Sequence, residues 1–298
     1  MNTFMTAVLA FVTFTSDASG QLDSLKSQIL GRLTNAQATI GVAVGILEDT
    51  AEVGINGDEH FPMQSVFKFH IALAVLSRVD DGTLSLDQEL HVTRKDLLPD
   101  TWSPLRTKYP EGNVRIALRD IPGYMVSQSD NNACDILLRL VGGTGMVNKF
   151  IHGIGIVDVS IQANEEEMHK ARDAQFANWT TPGAALQLLR KFQAGTILSR
   201  ENNDALRELM TASIGNSRIP GRLPTGTIVA HKTGTSGTNE QGITAAVNDI
   251  GIVTLPDGRH LGIAVFVSNS KETAEENESI IADVARLAWD FFVQNPEK

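Results

Sequence analysis

The chain is organised around the stretch Phe61-Pro62-Met63-Gln64-Ser65-Val66-Phe67-Lys68-Phe69-His70, which runs directly into an apolar segment, residues 71–76. That segment predicts a buried helix. Ser65 and Lys68 are three residues apart, which places them on one face of a helix, one turn apart. A hydroxyl at a helix N-terminus lies at the positive end of the helix dipole, and a lysine shielded from water can act as a base. The pair therefore indicates a serine nucleophile beside a basic group.

The Ser-x-x-Lys spacing is a weak signal by itself, because the chain contains it a second time, at Ser268 and Lys271. The second copy follows a predicted strand and precedes the polar segment 272–276, so nothing there shields a lysine from water. We interpret Ser268 as a loop residue. The helix that follows Ser65, and not the spacing, makes the first copy significant.

Composition limits the possible functions. A chain of 298 residues with 42% apolar and 20% charged residues is typical of a soluble globular protein with one large or two intimate domains. The net charge of −10, without a basic cluster, argues against nucleic acid as a partner. The single cysteine, Cys134, permits no internal disulfide, and we expect it to fill a gap in the core.

The N-terminus differs in amino-acid composition from the rest of the chain. Residues 4–14 are almost wholly apolar, residues 15–20 are small and polar, and Ala18-Ser19-Gly20 resembles a cleavage site. This predicts a signal peptide over residues 1–20, a periplasmic or secreted mature protein, and no membrane contact after its removal. No Lys or Arg precedes the apolar run, so an N-terminal helix packed on the protein body is the alternative.

Strand patterns lie at both ends of the chain, and helical patterns lie between them and at the termini. The predicted strands are 39–48, 51–57, 227–232, 246–255 and 261–267. The predicted helices include 22–33, 116–126, 132–141, 184–192, 202–210 and 276–294. This order predicts an α/β (α+β) fold in which one antiparallel sheet is built from both termini and flanked by the terminal helices. Residues 21–61 and 213–298 would form this domain, and residues 62–212 an inserted all-helical domain.

Two further motifs follow Ser65 in the sequence. Ser129-Asp130-Asn131 comes just before a predicted helix, and Lys232-Thr233-Gly234 ends a predicted strand. Each alone is ordinary, since Ser-Asp-Asn often caps a helix and a lysine often keeps a strand edge soluble. In this order and context, the three motifs resemble those of the serine β-lactamase and penicillin-binding protein superfamily over the whole mature chain. The stretches 61–68 and 231–237 are most similar to the PER-type branch of the extended-spectrum class A enzymes.

The resemblance implies a β-lactamase/transpeptidase-like fold with the active site in the cleft between the two domains. It also implies roles in acylation by a β-lactam. Ser65 is the nucleophile, Lys68 takes its proton directly or orients a water, and Ser129 relays a proton to the leaving nitrogen. Asn131 holds Lys68 and the amide side chain of the substrate. The oxyanion hole consists of the backbone N–H groups of Ser65 and Thr235.

The third motif is assigned to the substrate carboxylate. Lys232 supplies positive charge, Thr233 and Thr235 supply hydroxyls, and Gly234 lets the strand approach the substrate closely. A second cation is expected at Arg218, which matches the PER-type position. A surface-solvated arginine is the alternative for Arg218.

Class A enzymes release the acyl group with a water activated by a glutamate in a Glu-x-x-Leu-Asn pattern. The matching stretch here is Asn164-Glu165-Glu166-Glu167-Met168-His169, in which Glu165 stands at the position of the base. Glu166 is the alternative base, and a solvated acidic loop is the alternative for the whole stretch. His169 replaces the asparagine and can hydrogen-bond the water as a pH-sensitive group.

Two departures from the common class A pattern concern the loop 163–178. Ala163 and Asn178 occupy the positions where many class A enzymes have an Arg–Asp ion pair, and Gln64 precedes the nucleophile where Cys is common. Both departures recur in the PER-type branch. The resemblance therefore implies a wide, differently folded loop and activity on oxyimino-cephalosporins.

The sequence thus predicts a serine β-lactamase that hydrolyses penicillins and cephalosporins without a cofactor. Its seven histidines have no metal-ligand spacing such as His-x-x-x-His, which argues against a metal site. A small-molecule β-lactam is the expected partner, and the lack of an obvious association surface favours a monomer. The alternatives are a penicillin-binding D,D-peptidase and a sensor domain that stays acylated.

Overall fold

The computed structural model describes residues 16–296. The α-helices are α1 (Ser16–Leu33), α2 (Phe67–Asp80), α3 (Pro104–Lys108), α4 (Ile121–Val126), α5 (Asn131–Val141), α6 (Thr144–Gly153), α7 (Glu165–Lys170), α8 (Pro182–Gln193), α9 (Arg200–Thr211) and α10 (Ala274–Gln294). The strands are β1 (Thr39–Ile46), β2 (Glu52–Ile55), β3 (Phe61–Pro62), β4 (Glu89–Val92), β5 (Val114–Ala117), β6 (Val159–Ser160), β7 (Trp179–Thr180), β8 (Val229–Thr235), β9 (Thr244–Thr254) and β10 (His260–Ser270).

Five strands form one antiparallel sheet in the order β2-β1-β10-β9-β8. The N-terminal strand β1 pairs with the C-terminal strand β10 along its whole length, from Thr39 opposite Ser268 to Ile46 opposite Leu261. The prediction of one antiparallel sheet built from both termini is confirmed. Strand β8 lies at one edge of the sheet, where its last residues are free to approach another part of the chain.

The sheet separates two hydrophobic cores. Along β10, Ile263 and Val265 belong to the core beneath α1 and α10, whereas Ala264 and Phe266 belong to the core shared with the helical segment. Because side chains alternate between the two faces of a strand, a strand buried on both faces is apolar throughout. Burial of each large aliphatic side chain contributes roughly 1.5–3 kcal/mol.

Helix α2 is the centre of the second core. Its first ten residues, Phe67 to Leu76, are all buried, and α4, α5, α6 and α9 pack around it. A helix that is apolar on every side must be enclosed in this way, so the predicted buried helix is confirmed. The buried helix fixes the position of its own N-terminus, where Ser65 and Lys68 lie.

The inserted segment, residues 62–212, also contains short strands. Strand β4 pairs with β5, and β7 pairs with both β3 and β6. The helix predicted at 116–126 begins only at Ile121, because Val114–Ala117 pairs as a strand. Pro122 is accommodated in the first turn of α4, where its missing N–H costs nothing.

The interpretation of Ser268 as a loop residue is wrong. Ser268 lies within β10, is buried, and donates its hydroxyl hydrogen bond to the carbonyl of Ala245 at 2.9 Å. The apolar pattern of the strand ends at Val267, whereas ladder pairing continues to Ser270.

The predicted signal peptide lies mostly outside the described residues, since the description begins at Ser16. Residues 16–20 are the first residues of α1. Among residues 16–296, no helix combines the length and the apolar character that a membrane crossing requires.

Candidate active site

Ser65 lies in a 3-10 turn, Gln64–Val66, that leads directly into α2. The turn is sharp because Gln64 has a φ of +48°, which is uncommon for a residue other than glycine. The backbone before it is held from two sides. Met63 donates its N–H to the carbonyl of Asn178 at 2.9 Å, and the Asn248 side chain donates to the Pro62 carbonyl at 2.8 Å. The position of Ser65 is therefore fixed by segments far away in the sequence.

Lys68 is completely buried and is surrounded by four oxygen atoms. Its Nζ lies 3.0 Å from Ser65 Oγ, 2.8 Å from the carbonyl of Ser129, 2.5 Å from Asn131 Oδ1 and 2.8 Å from Glu165 Oε1. A buried ammonium needs such partners, because an unpaired buried charge is very costly. Since Nζ reaches both Ser65 and Glu165, it can exchange a proton with either group.

Asp130 fixes the Ser129-Asp130-Asn131 motif. It is fully buried, and its carboxylate accepts the N–H groups of Ala133 at 2.8 Å and Leu105 at 2.6 Å. Burial raises the pKa of Asp130, while these hydrogen bonds oppose the rise. Ser129 adopts a left-handed conformation with φ +56°. Asp130 thus caps the N-terminus of α5 and fixes the backbone between Ser129 and Asn131, of which Asn131 lines the cleft described below.

Lys232, on β8, contacts the side chain of Ser129, whereas Lys68 contacts the backbone carbonyl of that serine. The Nζ of Lys232 donates to Ser129 Oγ and to the carbonyl of Thr233, each at 3.0 Å. Burial and, next in size, repulsion by the charge of Lys68 together lower the pKa of Lys232 to about 7. The hydroxyl of Ser129 therefore lies beside a lysine that can donate or release a proton near neutral pH.

Strand β8 passes unusually close to the Ser65 turn. A Cβ atom added to Gly234 would lie 2.4 Å from the Met63 carbonyl oxygen and 3.3 Å from the backbone nitrogen of Ser65. Only glycine permits this approach. It brings the end of β8, with Thr235, against the turn that carries Ser65.

Arg218 is buried behind the end of β8. Its guanidinium donates to the carbonyls of Gly234 at 3.0 Å and Asn248 at 2.8 Å, and to Thr235 Oγ1 at 2.6 Å. The alternative of a surface-solvated Arg218 is wrong, since only 6% of the residue is exposed. The nearby Arg222 is the arginine that lies on the surface, paired with an acidic residue of α10.

Helix α7 carries Glu165 and is anchored by Asp135, which the sequence had not singled out. The N–H groups of Glu165 and Glu166 donate to the two oxygens of Asp135 at 2.8 and 3.0 Å. Burial raises the pKa of Asp135 to about 6. Glu165 reaches Lys68, whereas Glu166 points to the surface and pairs with Lys170 at 2.5 Å. Asp135 is four residues after Asn131 on α5, and this same-face spacing is the signal that could have revealed it.

Side-chain amides hold the loop 163–178 in place of an ion pair. Asn178 accepts the N–H groups of Gln162 and Ala163 at 2.8 and 2.9 Å and returns a hydrogen bond to the Ala163 carbonyl at 2.7 Å. Gln64 donates to Gln175 Oε1 at 2.6 Å, which joins the Ser65 turn to the same loop. Positions 163 and 178 thus have no Arg–Asp ion pair, and the uncharged amide of Asn178 joins the two ends of the loop by hydrogen bonds instead.

An open cleft of about 430 Å³ borders the Ser65 turn at Gln64. It is lined by Gln64, Thr101, Asn131, Glu165, Met168, His169, Arg172, Gln175, Thr235, Ser236, Gly237 and Thr238. His169 is exposed on its wall beside Glu165, and Arg172 donates to the Gly237 carbonyl at 3.1 Å across the far end. The cleft separates loop 163–178 from the segment after β8, so its width depends on both.

The three motifs and the glutamate loop therefore converge on one buried cluster. The sequence model of the beta-lactamase enzyme family matches residues 24–292. The chain belongs to the beta-lactamase enzyme family. This confirms the resemblance inferred from the motifs and the expectation of an enzyme that acts on β-lactams.

Relatives cover nearly the whole of this β-lactamase. It is 47% identical to beta-lactamase VEB-1 of Pseudomonas aeruginosa over 279 residues, which are 93% of each chain. It is 43% identical to extended-spectrum beta-lactamase PER-1 of the same organism over 298 residues, covering 98% of this chain and 96% of that one.

Solved structures agree in fold. The crystal structure of the TLA-1 extended-spectrum β-lactamase matches with a TM-score of 0.90 and 52% identity, covering 92% of this chain and 99% of that one. A class A β-lactamase of Bacteroides cellulosilyticus matches with a TM-score of 0.89 and 38% identity, covering 92% and 99%. The predicted α/β β-lactamase fold is confirmed, as is membership of class A.

We expect the substitution Asp135→Asn to slow turnover by about tenfold, because an amide has one oxygen and cannot accept both N–H groups of α7. An unsatisfied buried N–H costs about 1–3 kcal/mol. Steady-state kcat of the variant checks this result. Asp173→Asn, an exposed carboxylate on the same loop, is the matched control and should leave kcat unchanged.

The same substitution has a predicted pH signature in stability. The pKa of Asp135 is about 6 in the fold, above its ordinary value of 3.8, so the folded protein binds this proton more tightly than the unfolded chain does. Ionisation of Asp135 therefore lowers wild-type stability by roughly 2–3 kcal/mol as pH rises from about 4 to about 7. Denaturant unfolding at both pH values should show that the free energy of unfolding of Asp135→Asn rises relative to that of wild type as pH increases over this range. Parallel pH dependences of the two proteins would contradict the prediction.

Proposed function

We propose that this β-lactamase hydrolyses penicillins and cephalosporins through an acyl-enzyme on Ser65, which a water activated by Glu165 then cleaves. The observation that carries the proposal is the position of the Lys68 ammonium. It lies 3.0 Å from Ser65 Oγ and 2.8 Å from Glu165 Oε1, so one group joins the nucleophile to the base.

In acylation, Lys68 first gives a proton to the Glu165 carboxylate 2.8 Å away, and the neutral amine then takes the proton of Ser65 Oγ as that oxygen attacks the lactam carbonyl. Alternatively, the Ser65 proton passes through a water directly to Glu165. The backbone N–H groups of Ser65 and Thr235 receive the developing negative charge of the carbonyl oxygen. The C–N bond of the lactam then breaks, and Ser129 Oγ gives its proton to the leaving nitrogen. Lys232, 3.0 Å from Ser129 Oγ, supports this transfer and can replace the proton.

In deacylation, Glu165 accepts a proton from a water that attacks the ester carbon. The ester bond to Ser65 breaks, and the proton returns to Ser65 Oγ as the product leaves. Glu165 is the better assignment than Glu166, because the Glu166 carboxylate is engaged with Lys170 on the outer side of α7. His169 lies next to Glu165 on the cleft wall and can hydrogen-bond the water.

The substrate carboxylate is assigned to Lys232, Thr233, Thr235 and Arg218 around the end of β8. The amide side chain of the substrate is assigned to Asn131, from which it extends into the cleft of about 430 Å³. The names of PER-1 and TLA-1 describe extended-spectrum enzymes. These relatives and the amide-held loop 163–178 support activity on oxyimino-cephalosporins.

Steady-state kinetics of the purified enzyme test the function. We expect multiple turnovers of a chromogenic cephalosporin and measurable kcat/KM for both ceftazidime and benzylpenicillin. A single stoichiometric burst without turnover would instead indicate a D,D-peptidase or a sensor domain that stays acylated. Negligible ceftazidime hydrolysis beside good penicillin hydrolysis would remove the oxyimino-cephalosporin assignment alone.

We infer that the enzyme is exported and acts in the periplasm as a monomer, with the β-lactam as its partner. The apolar N-terminal sequence and the cleavage-like site at residues 18–20 support export, and N-terminal sequencing of the mature protein tests it. We further infer that residues 21–61 and 213–298 act as one domain and residues 62–212 as the other. The placement of the cleft between loop 163–178 and the end of β8 supports this division.

A further inference from the structure

A buried histidine–aspartate pair lies behind the active site and takes no part in the proposed mechanism. His231 is 1% exposed and Asp249 is 0% exposed. The Nδ1 atom of His231 lies 3.0 and 2.9 Å from the two carboxylate oxygens of Asp249. The backbone N–H of Ile219 donates to the same carboxylate at 3.1 Å. A charge so deeply buried is costly unless it is well paired, and a buried ion pair often adds little stability over apolar residues of the same size. Stability alone therefore does not account for this pair.

Strand β9 connects this pair to both sides of the active site. Asp249 lies opposite Thr233 in the β8–β9 ladder, one position from Lys232. The preceding residue, Asn248, points to the other face and holds the Pro62 carbonyl before Ser65. Asp249 in turn holds Ile219, the residue that follows the substrate-binding candidate Arg218. Consecutive side chains of β9 therefore fix the nucleophile turn and the arginine segment.

The charge of Asp249 also acts on Lys232. Burial of the Lys232 ammonium lowers its pKa, and so do the positive charges of Lys68 and Arg218. The negative charges of Asp249 and Glu165 raise the pKa, and Asp249 has the larger effect of the two. Water and salt screen little of this interaction, because both groups are buried.

We propose that Asp249 is a positioning residue of the reaction, whose buried charge keeps Lys232 in its ammonium form and whose hydrogen bond to Ile219 fixes the segment that carries Arg218. His231 holds this carboxylate in place by donating to it. The proposal rests on the assignment of Lys232 to the substrate carboxylate. It explains why a buried ion is maintained one strand away from the chemistry.

The sign of the effect follows from the charges. Without the negative charge of Asp249, Lys232 loses its proton at lower pH, so the free enzyme binds an anionic substrate less well as pH rises. The substrate carboxylate itself stabilises the ammonium once it is bound. The change should therefore fall on kcat/KM, which reports the free enzyme, and on KM, while kcat changes less.

The test compares pH profiles of kcat/KM for a cephalosporin between wild type and Asp249→Asn. Asparagine keeps the shape of the side chain and can still accept the Ile219 N–H. We expect the ratio of kcat/KM at about pH 6 to that at about pH 8 to rise at least about threefold in the variant. His231→Gln, which keeps the charge of Asp249 and a donor to it, is the matched control and should retain the wild-type ratio.

A folded Asp249→Asn protein with the wild-type ratio would overturn the proposal, and so would an equal shift in His231→Gln. If Asp249→Asn does not fold, the double variant His231→Leu/Asp249→Leu removes the imidazole and the carboxylate together, so neither of these two side chains is left without the other. The double variant should show the same shift, and an unchanged ratio there would also overturn the proposal.

A second readout separates this proposal from the proposed function. Lysine labelled with ¹³C at Cε reports the protonation of Lys232 in the resting enzyme by NMR, whether or not the enzyme turns over substrate. We expect its titration to move to lower pH in Asp249→Asn. An unmoved titration overturns the role of Asp249, whereas loss of turnover in wild type overturns only the proposed function.

Discussion

Replacement of Glu165 by glutamine should convert this β-lactamase into an enzyme that is acylated and then stalls. Glutamine keeps the size of the side chain but cannot accept a proton from the hydrolytic water, and loss of a general base typically costs about 10²–10⁴-fold in rate. Lys68 still lies 3.0 Å from Ser65 Oγ, so acylation should continue. Intact-protein mass spectrometry after mixing with a penicillin should show a stable adduct, and peptide mapping should place it on Ser65.

Glu166→Gln is the matched control for this experiment, because it makes the same chemical change one residue further along α7. Its carboxylate pairs with Lys170 at the surface, so we expect turnover close to wild type and no stable adduct. If Glu166→Gln traps the adduct and Glu165→Gln does not, the assignment of the base is off by one residue.

Replacement of Lys68 by methionine should block the first half of the reaction instead. Methionine fills the same buried space but removes the ammonium that contacts Ser65, Asn131 and Glu165. We expect the acylation rate, measured by stopped-flow single-turnover kinetics, to fall by about 10²–10⁴-fold, without accumulation of adduct. The two variants thus fail on opposite sides of the acyl-enzyme.

Lys170→Met, an exposed lysine on the same helix as Glu165, controls for the loss of a positive charge near the cleft. Acylation in Lys68→Met that stays within about tenfold of wild type would show that Glu165 alone can deprotonate Ser65. The ratio of acylation rates in the Lys68 and Glu165 variants measures how the two groups share this step, which the motifs leave open.

The core of the fold could be predicted from local patterns, because its elements are strongly apolar. The local sequence pattern is sufficient to predict the ten buried residues of α2 and the apolar strands β9 and β10. Predictions failed where pairing with a distant segment decides the outcome. The sequence predicts a helix over 116–126, but residues 114–117 form a strand because β4 is available to pair with them.

The same distinction applies to the active site. Ser65, Lys68, Ser129 and Lys232 could be found because each lies in a short motif with its own local context. Asp135 could not be assigned to Glu165, since its partners are 30 residues away and a lone carboxylate on a helix has many possible roles. The hydrogen bond between Gln64 and Gln175 could not be predicted from the sequence either, because each amide could equally have faced solvent.

The ties that hold Ser65 also have a consequence for the folding kinetics of the enzyme. The turn before Ser65 is held by Asn248, a contact between residues 186 positions apart, and Lys68 is held by residues at the start of α5. Contacts of such long range form late, after local helices and general collapse. Only chains that have completed folding thus present a reactive serine. Covalent labelling of the Glu165→Gln variant by a fluorescent penicillin therefore counts native molecules. The time course of labelling during refolding reports the final assembly step, which circular dichroism of the helices does not detect.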